Sequence, residues 1–142
     1  MATPVSDLVI MTLNVRGMKG DKVRDWKIVR IKHLIKLHSP DFIFLQETHF
    51  DSDFLANQIT IDNLNLATGR HSLTDDNTTG TTILVTSDRW QILGSTVDNN
   101  TGRVVTVDIV RNHTYYTLTN IYAPSRSTNH DRTEFFTDCQ SD

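Results

Sequence analysis

The chain alternates short apolar runs with polar, turn-forming stretches, and the spacing inside each run predicts its element. Residues 8–13 read Leu-Val-Ile-Met-Thr-Leu, a near-continuous apolar run of the length expected for a strand buried on both faces. Asn14-Val15-Arg16-Gly17 follows, and Gly17 and Gly20 mark a loop. From Asp21, a candidate cap, to about His38, apolar residues recur at helical spacing. Ile28, Ile31, Leu34 and Ile35 share one face, while Lys27, Arg30, Lys32 and Lys36 populate the other and read as solvated surface. Ser39-Pro40 ends the helix, because proline disfavours the helical conformation in the residue before it. Residues 41–47 form the next strand, apolar in the body and polar at the C-terminal end. Strand, helix, strand predicts two parallel neighbours.

Beyond this opening the pattern shortens. A short helix is expected at 52–58, and 63–79 is polar and resists assignment. Strands are expected at 81–86 and 90–93 around a Ser87-Asp88 turn. Residues 103–110 alternate, with Val105, Val107 and Ile109 on one face, and 115–122 is a further strand joined through a hairpin at 111–114. Pro124 stops it, and Thr128 or Asn129 caps a final helix containing Phe135 and Phe136. The order β-α-β followed by antiparallel strands is a mixed α/β pattern.

Composition narrows the classes. The 142 residues fit one domain, or a piece of one. No stretch has the apolar length of a membrane helix, and residues 1–7 lack a basic segment leading into an apolar run, so neither membrane nor secretory signal is expected. The single cysteine, Cys139, cannot make an internal disulfide, which favours an intracellular, reducing location, the nucleus included. With 14 Lys and Arg against 17 Asp and Glu, the net charge of −3 carries no electrostatic footprint for nucleic acid. A nucleic-acid function would need a local site, with or without a metal.

Three strand ends carry polar residues that the strand bodies do not require: Asn14, Glu47 and Tyr122. An amide supplies one acceptor and two donors, enough to hold a phosphate oxygen or to bond its own turn. A carboxylate leaving an apolar strand suits magnesium, which takes oxygen ligands and few protein carboxylates, and equally suits solvent. A phenol can donate to a phosphate oxygen or simply cap a strand. His49 reads as a general base, a phosphate contact or an ordinary surface histidine. No Walker loop, Gly-x-Ser-x-Gly or Gly-x-Gly-x-x-Gly is present.

Taken together, Leu13-Asn14-Val15-Arg16-Gly17, Leu45-Gln46-Glu47-Thr48-His49 and Asn120-Ile121-Tyr122-Ala123-Pro124 resemble, in order and spacing, the first three motifs of the endonuclease/exonuclease/phosphatase superfamily. Within it the chain looks most like the apurinic-type endonuclease domain of non-LTR retrotransposons; Gln-Glu-Thr-His and Asn-Ile-Tyr-Ala-Pro are the retroelement flavour. Gly80-Thr81-Thr82-Ile83-Leu84-Val85 and Gly102-Arg103-Val104-Val105 also match its intervening strands. The resemblance implies one domain over 1–142 with its core at 8–136. The implied fold is α/β, the N-terminal half of a four-layer α/β/β/α sandwich with a mixed, mostly antiparallel sheet, of which this chain supplies about one sheet and its helices. The implied activity is magnesium-dependent phosphodiester hydrolysis that nicks DNA, with manganese as a substitute metal and a reverse transcriptase domain downstream. By the same resemblance Glu47 and Asn14 hold the metal, Asn14 organises the centre, Tyr122 contacts the scissile phosphate, and Arg16 and His49 touch phosphate or nucleic acid.

The pattern also departs from the family. Its later Gly-Asp-x-Asn segment and terminal Asp-His pair do not occur here; Gly-Asp is found only at Gly20-Asp21. Arg16 stands where many relatives carry Asp or Asn, which argues against a second metal there and for a phosphate contact. Little or no nuclease activity is therefore expected of these residues alone. An open apolar sheet face is expected as well, drawn from Leu8, Ile10, Phe42, Phe44, Val105 and Val107. The competing readings are a non-catalytic remnant or partial gene of such an element, another phosphoesterase of the superfamily (abasic-site repair, deadenylase, phosphatase), and a binding module without chemistry.

Overall fold

The computed structural model describes residues 7–18, 21–49, 68–72, 80–98 and 100–123, with backbone alone for 21–25 and 68–72. The helices expected at 52–58 and around Phe135 lie outside the described residues. Within them the chain forms β1 (Ile10–Asn14), α1 (Asp21–His38), β2 (Phe42–Gln46), β3 (Thr68–Ser72), β4 (Thr81–Val85), β5 (Gln91–Asp98), β6 (Val104–Arg111) and β7 (Thr114–Ile121).

The strands divide into two sheets, one in the order β1-β2-β4-β3 and one in the order β5-β6-β7. β1 and β2 are parallel, as the strand–helix–strand opening predicts, with Asn14 opposite Gln46. β4 runs antiparallel to both β2 and β3. The second sheet is antiparallel throughout.

The apolar face of α1 lies on the first sheet, where Ile28 and Ile31 pack with Ile43, Leu45 and Leu84. The sheet's other face brings Phe42, Ile83 and Val85 against Val105, Val107, Ile109 and Leu118 of the second sheet. β2 and β4 are thus covered on both sides, which is why Phe42–Leu45 and Ile83–Val85 are apolar on both faces. Helix α1 ends where Ser39 turns to a positive φ of 47° while its N–H still donates to Ile35 O at 2.8 Å, so Pro40 follows a left-handed cap.

One expectation is corrected. The chain does not supply a single sheet with an open inner face: Phe42 is 1% exposed, Val105 and Val107 0%, and Phe44 is half-buried. The chain crosses between sheets after β4, so strands of both layers are present and their inner faces cover each other. Asp41 pins the crossing. Its buried carboxylate accepts from Val9 N at 3.0 Å and Ser87 Oγ at 2.7 Å, with Arg89 3.6 Å away. Among the described residues β1, β3, β5 and β7 are sheet edges, each paired with a single neighbour. Ile10 and Ile121 on those edges remain 40% and 38% exposed.

Three layers, α/β/β, are seen among the described residues. The outer face of the second sheet carries hydroxyls and one carboxylate, with Thr117 Oγ1 donating to Asp108 Oδ1 at 2.6 Å and Thr106 and Thr119 3.1 Å apart. Two strand limits also differ from expectation. β3 emerges from the polar stretch at 63–79, and β5 runs on to Asp98 because a bulge between Ile92 and Gly94 absorbs the glycine. Among the described residues no helix is long and apolar enough to cross a membrane.

Candidate functional site

β1, β2 and β7 finish at a common rim, and each carries one of the polar residues singled out from sequence at or just past its end. Asn14 closes β1, Glu47 follows β2, and Tyr122 follows β7. Beyond β1 the loop is strapped to the segment after β2. Val15 N donates to Gln46 O at 3.0 Å, Gly17 N to Glu47 O at 2.6 Å and Met18 N to Thr48 O at 2.9 Å. Arg16 and Gly17 take positive φ values of 52° and 87°, and the Asn14 side chain closes the turn by accepting from Arg16 N at 3.0 Å.

Lys27 holds the same loop from the helix. Its ammonium donates to three successive carbonyls, Val15 O at 2.5 Å, Arg16 O at 3.2 Å and Gly17 O at 2.6 Å. An ammonium has three donors and here all three are used. This corrects the reading of Lys27 as part of a solvated face; Arg30, Lys32 and Lys36 do lie exposed.

Glu47 and Tyr122, 75 residues apart, meet directly: the Tyr122 hydroxyl donates to Glu47 Oε1 at 2.5 Å. Glu47 sits at a φ of 56°, a left-handed conformation that costs a non-glycine residue on the order of 1 kcal/mol, so the surrounding bonds must hold it there. Tyr122 is held by Arg103. Tyr122 N donates to Arg103 O at 2.9 Å, Arg103 Nη1 donates to Tyr122 O at 3.0 Å, and the guanidinium lies 4.9 Å from the ring centroid.

Behind this pair two amides join the sheets. Gln46 Nε2 donates to Asn120 Oδ1 at 2.8 Å and to Thr12 Oγ1 at 2.9 Å. Asn120, 2% exposed, donates through Nδ2 to Leu45 O at 3.0 Å and Thr82 O at 2.9 Å. Sequence reading quoted Gln46 and Asn120 within motifs but gave neither a role, and it missed Arg103. The signal was there: each amide precedes a candidate site residue by one or two positions at the end of its strand.

Asn14 and Tyr122 line one open groove of about 550 Å³ with Thr12, Gln46 and Asn120, running between the free edges of β1 and β7. Glu47 stands beside this groove, linked to it through Tyr122. His49 is half-buried and its ring covers Gly17, where an added Cβ would come within 2.8 Å of Nδ1. Arg16 is exposed and faces a different hollow, toward α1.

The donor set bears on a metal. No group of three or more His, Cys, Asp and Glu occurs among the described residues. What the rim does offer is one carboxylate, Glu47, and one amide oxygen, Asn14. That set fits a hard cation such as magnesium or manganese, which completes its shell with water and phosphate, and does not fit zinc.

No protein-family profile matches the chain, and no curated protein is significantly similar to it. Solved structures do match. TDP2 from D. rerio complexed with single-strand DNA product has a TM-score of 0.71 at 17% identity, over 96% of this chain and 54% of that one. TDP2 from Caenorhabditis elegans gives 0.67 at 22%, over 94% and 40%. The AP endonuclease LMAP from Leishmania major gives 0.67 at 18%, over 90% and 44%. The chain shares their mixed α/β, two-sheet fold and spans about half the length of each.

Proposed function

We propose that these residues are the N-terminal part of an endonuclease/exonuclease/phosphatase-type domain, core 8–136, whose complete form hydrolyses phosphodiester bonds in DNA with a divalent metal. The observation that carries this reading is the hydrogen bond between Tyr122 and Glu47 at the open end of a fold shared with TDP2 and an AP endonuclease. Glu47 and Asn14 would hold magnesium, or manganese in its place. When bound, such a cation supplies charge stabilisation at a reacting phosphate. Tyr122 positions a phenol at the rim, where its hydroxyl can exchange the Glu47 carboxylate for a non-bridging phosphate oxygen. Asn14 Oδ1 is anchored to Arg16 N, which leaves the Nδ2 donors directed by a fixed turn. Arg16 and His49 flank this rim as nucleic-acid contacts.

The Gln-Glu-Thr-His and Asn-Ile-Tyr-Ala-Pro motifs support a finer reading, a retroelement endonuclease that nicks target DNA to prime a downstream reverse transcriptase. The likeness to an AP endonuclease and to TDP2 supports a second, a DNA-repair phosphoesterase. Abasic-site DNA cleaved in preference to intact plasmid by the longer protein would favour the second.

The site is tested by manganese titration of the 142-residue chain, followed by water-proton relaxation. Glu47→Ala should abolish the enhancement and Tyr122→Phe should retain most of it. Unchanged binding in Glu47→Ala would remove Glu47 from the metal. On supercoiled plasmid with magnesium this chain should produce little nicking. Robust nicking that disappears in Glu47→Ala would overturn the expected inactivity while supporting the assigned residues.

A further inference from the structure

A second hollow, of about 240 Å³, lies on the other side of Asn14, between the end of β1 and the middle of α1. Leu13 and Leu34 contribute apolar lining, Trp26, Arg16 and Arg30 stand around it, and Asn14 forms a wall shared with the groove described above. Three features of this hollow point to one kind of ligand.

Its charge is of one sign. Arg16, Lys27 and Arg30 line it, and among the described residues no Asp or Glu does. The Lys27 donors are taken by backbone carbonyls, so its charge remains while its hydrogen bonds do not. Arg16 and Arg30 are exposed, and no acceptor for either guanidinium is found among the described residues. Two forked donors thus face this hollow without an acceptor among the described residues, and a guanidinium fork suits an anion.

Trp26 is out of place for a residue of purely structural use. Its indole is 64% exposed, while the other tryptophan of the chain, Trp90, is 3% exposed and packed in the core. An exposed indole beside exposed arginines is the combination that stacks a nucleobase and holds the flanking phosphates.

Position and size complete the argument. A strand whose phosphate lies at Asn14 has its neighbouring nucleotide beside this hollow, because the same side chain borders both. The volume admits one planar base and not a base pair, so the base must be unstacked. We propose that the hollow is a nucleotide subsite that takes one base of a single-stranded segment against Trp26, with Arg16 and Arg30 on the adjoining phosphates. This deepens the reading of the rim as a DNA site, and rests on it only for the choice of nucleic acid as the anion.

The chain contains two tryptophans and only Trp26 is accessible, so fluorescence reports the subsite directly. The full chain is titrated with a short oligothymidylate in EDTA at low salt, alongside the anisotropy of the same oligomer carrying a label. Emission should be quenched in step with the anisotropy, and the quenching should vanish in Trp26→Phe, where Trp90 remains. Trp26→Ala should weaken binding by about tenfold, the loss of one stacked base. Arg30→Glu, also on the surface, should weaken binding and flatten its salt dependence. Lys36→Gln, an exposed position of α1 outside the hollow, should bind and quench as before, which separates the subsite from the general charge of the helix.

Binding by anisotropy without quenching, or with quenching that survives in Trp26→Phe, would overturn the subsite and leave the DNA reading standing. Equal quenching by a blunt duplex would overturn the unstacked-base assignment. Failure of both signals in the wild-type chain would overturn the subsite, and loss of manganese binding as well would bring down the rim reading with it.

Discussion

Asn120→Asp changes one nitrogen to oxygen and keeps the shape, so its effect isolates the polar link between the sheets. In the native chain Asn120 Nδ2 donates to Leu45 O at 3.0 Å and Thr82 O at 2.9 Å, and the residue is 2% exposed. In an ionised carboxylate there, Oδ1 would keep its donor from Gln46 Nε2, but the oxygen replacing Nδ2 would face two carbonyl oxygens at hydrogen-bond distance with no donor between them. The new group is therefore held protonated in the folded state, where its single O–H serves one carbonyl and the other loses its partner. That alone costs about 1 kcal/mol. Burial and the two acceptors raise its folded pKa by about 3 units above the unfolded carboxyl value near 3.9.

With the folded pKa above the unfolded one, the folded state binds more protons over the interval between them, so stability falls as pH rises. The slope is about 1.4 kcal/mol per pH unit, and the accumulated loss near pH 7 is about 3 kcal/mol beyond the loss at pH 4. Urea denaturation of the variant and the wild type at several pH values between 4 and 7.5 measures the difference at each. A destabilisation that is flat across this range, or below 1 kcal/mol throughout, would refute the bridging role of Asn120. A variant that folds at pH 4.5 and unfolds near neutrality would meet the expectation in its strongest form.

Other perturbations follow from single contacts. At Gly80 the φ is 123° and an added Cβ would lie 2.2 Å from Thr48 Oγ1, so Gly80→Ala should cost roughly 2–4 kcal/mol, with part of the loss recovered in combination with Thr48→Ala; thermal unfolding of the four chains measures it. Thr48 Oγ1 is buried with no partner among the described residues, so Thr48→Val should be neutral or stabilising by up to about 1 kcal/mol, and a loss larger than that would reveal a bond to this hydroxyl. Lys27→Met leaves three carbonyls without their ammonium and should cost about 2 kcal/mol, with faster hydrogen exchange at Gly17 and Met18, whose amides bond the segment after β2.

Local pattern alone was enough for β1, α1, β2, β4, β6 and β7, because each either repeats apolar residues at its own period or is a short apolar run closed by a polar end. The three rim residues were legible for the same reason: Asn14, Glu47 and Tyr122 break apolar strands at their ends, where nothing in the strand requires them. β3 was not legible, since Thr68-Gly69-Arg70-His71-Ser72 has neither apolar alternation nor a run, and its pairing with β4 supplies what its side chains do not announce.

Tertiary structure alone decided how the strands were shared between sheets. Side-chain periodicity says which face of a strand is buried, but which layer covers that face depends on a partner dozens of residues away. The expected open face is closed for this reason, while Ile10 and Ile121 at the edges of β1 and β7 keep part of their exposure. The same holds for the contacts that give the rim its shape. Lys27 reads as one more surface cation until the β1–α1 loop turns three carbonyls toward it. Gln46 and Asn120 read as motif letters until two sheets bring their amides within 2.8 Å. A polar side chain's identity states what it can bond, and only the folded backbone supplies the atom it does bond.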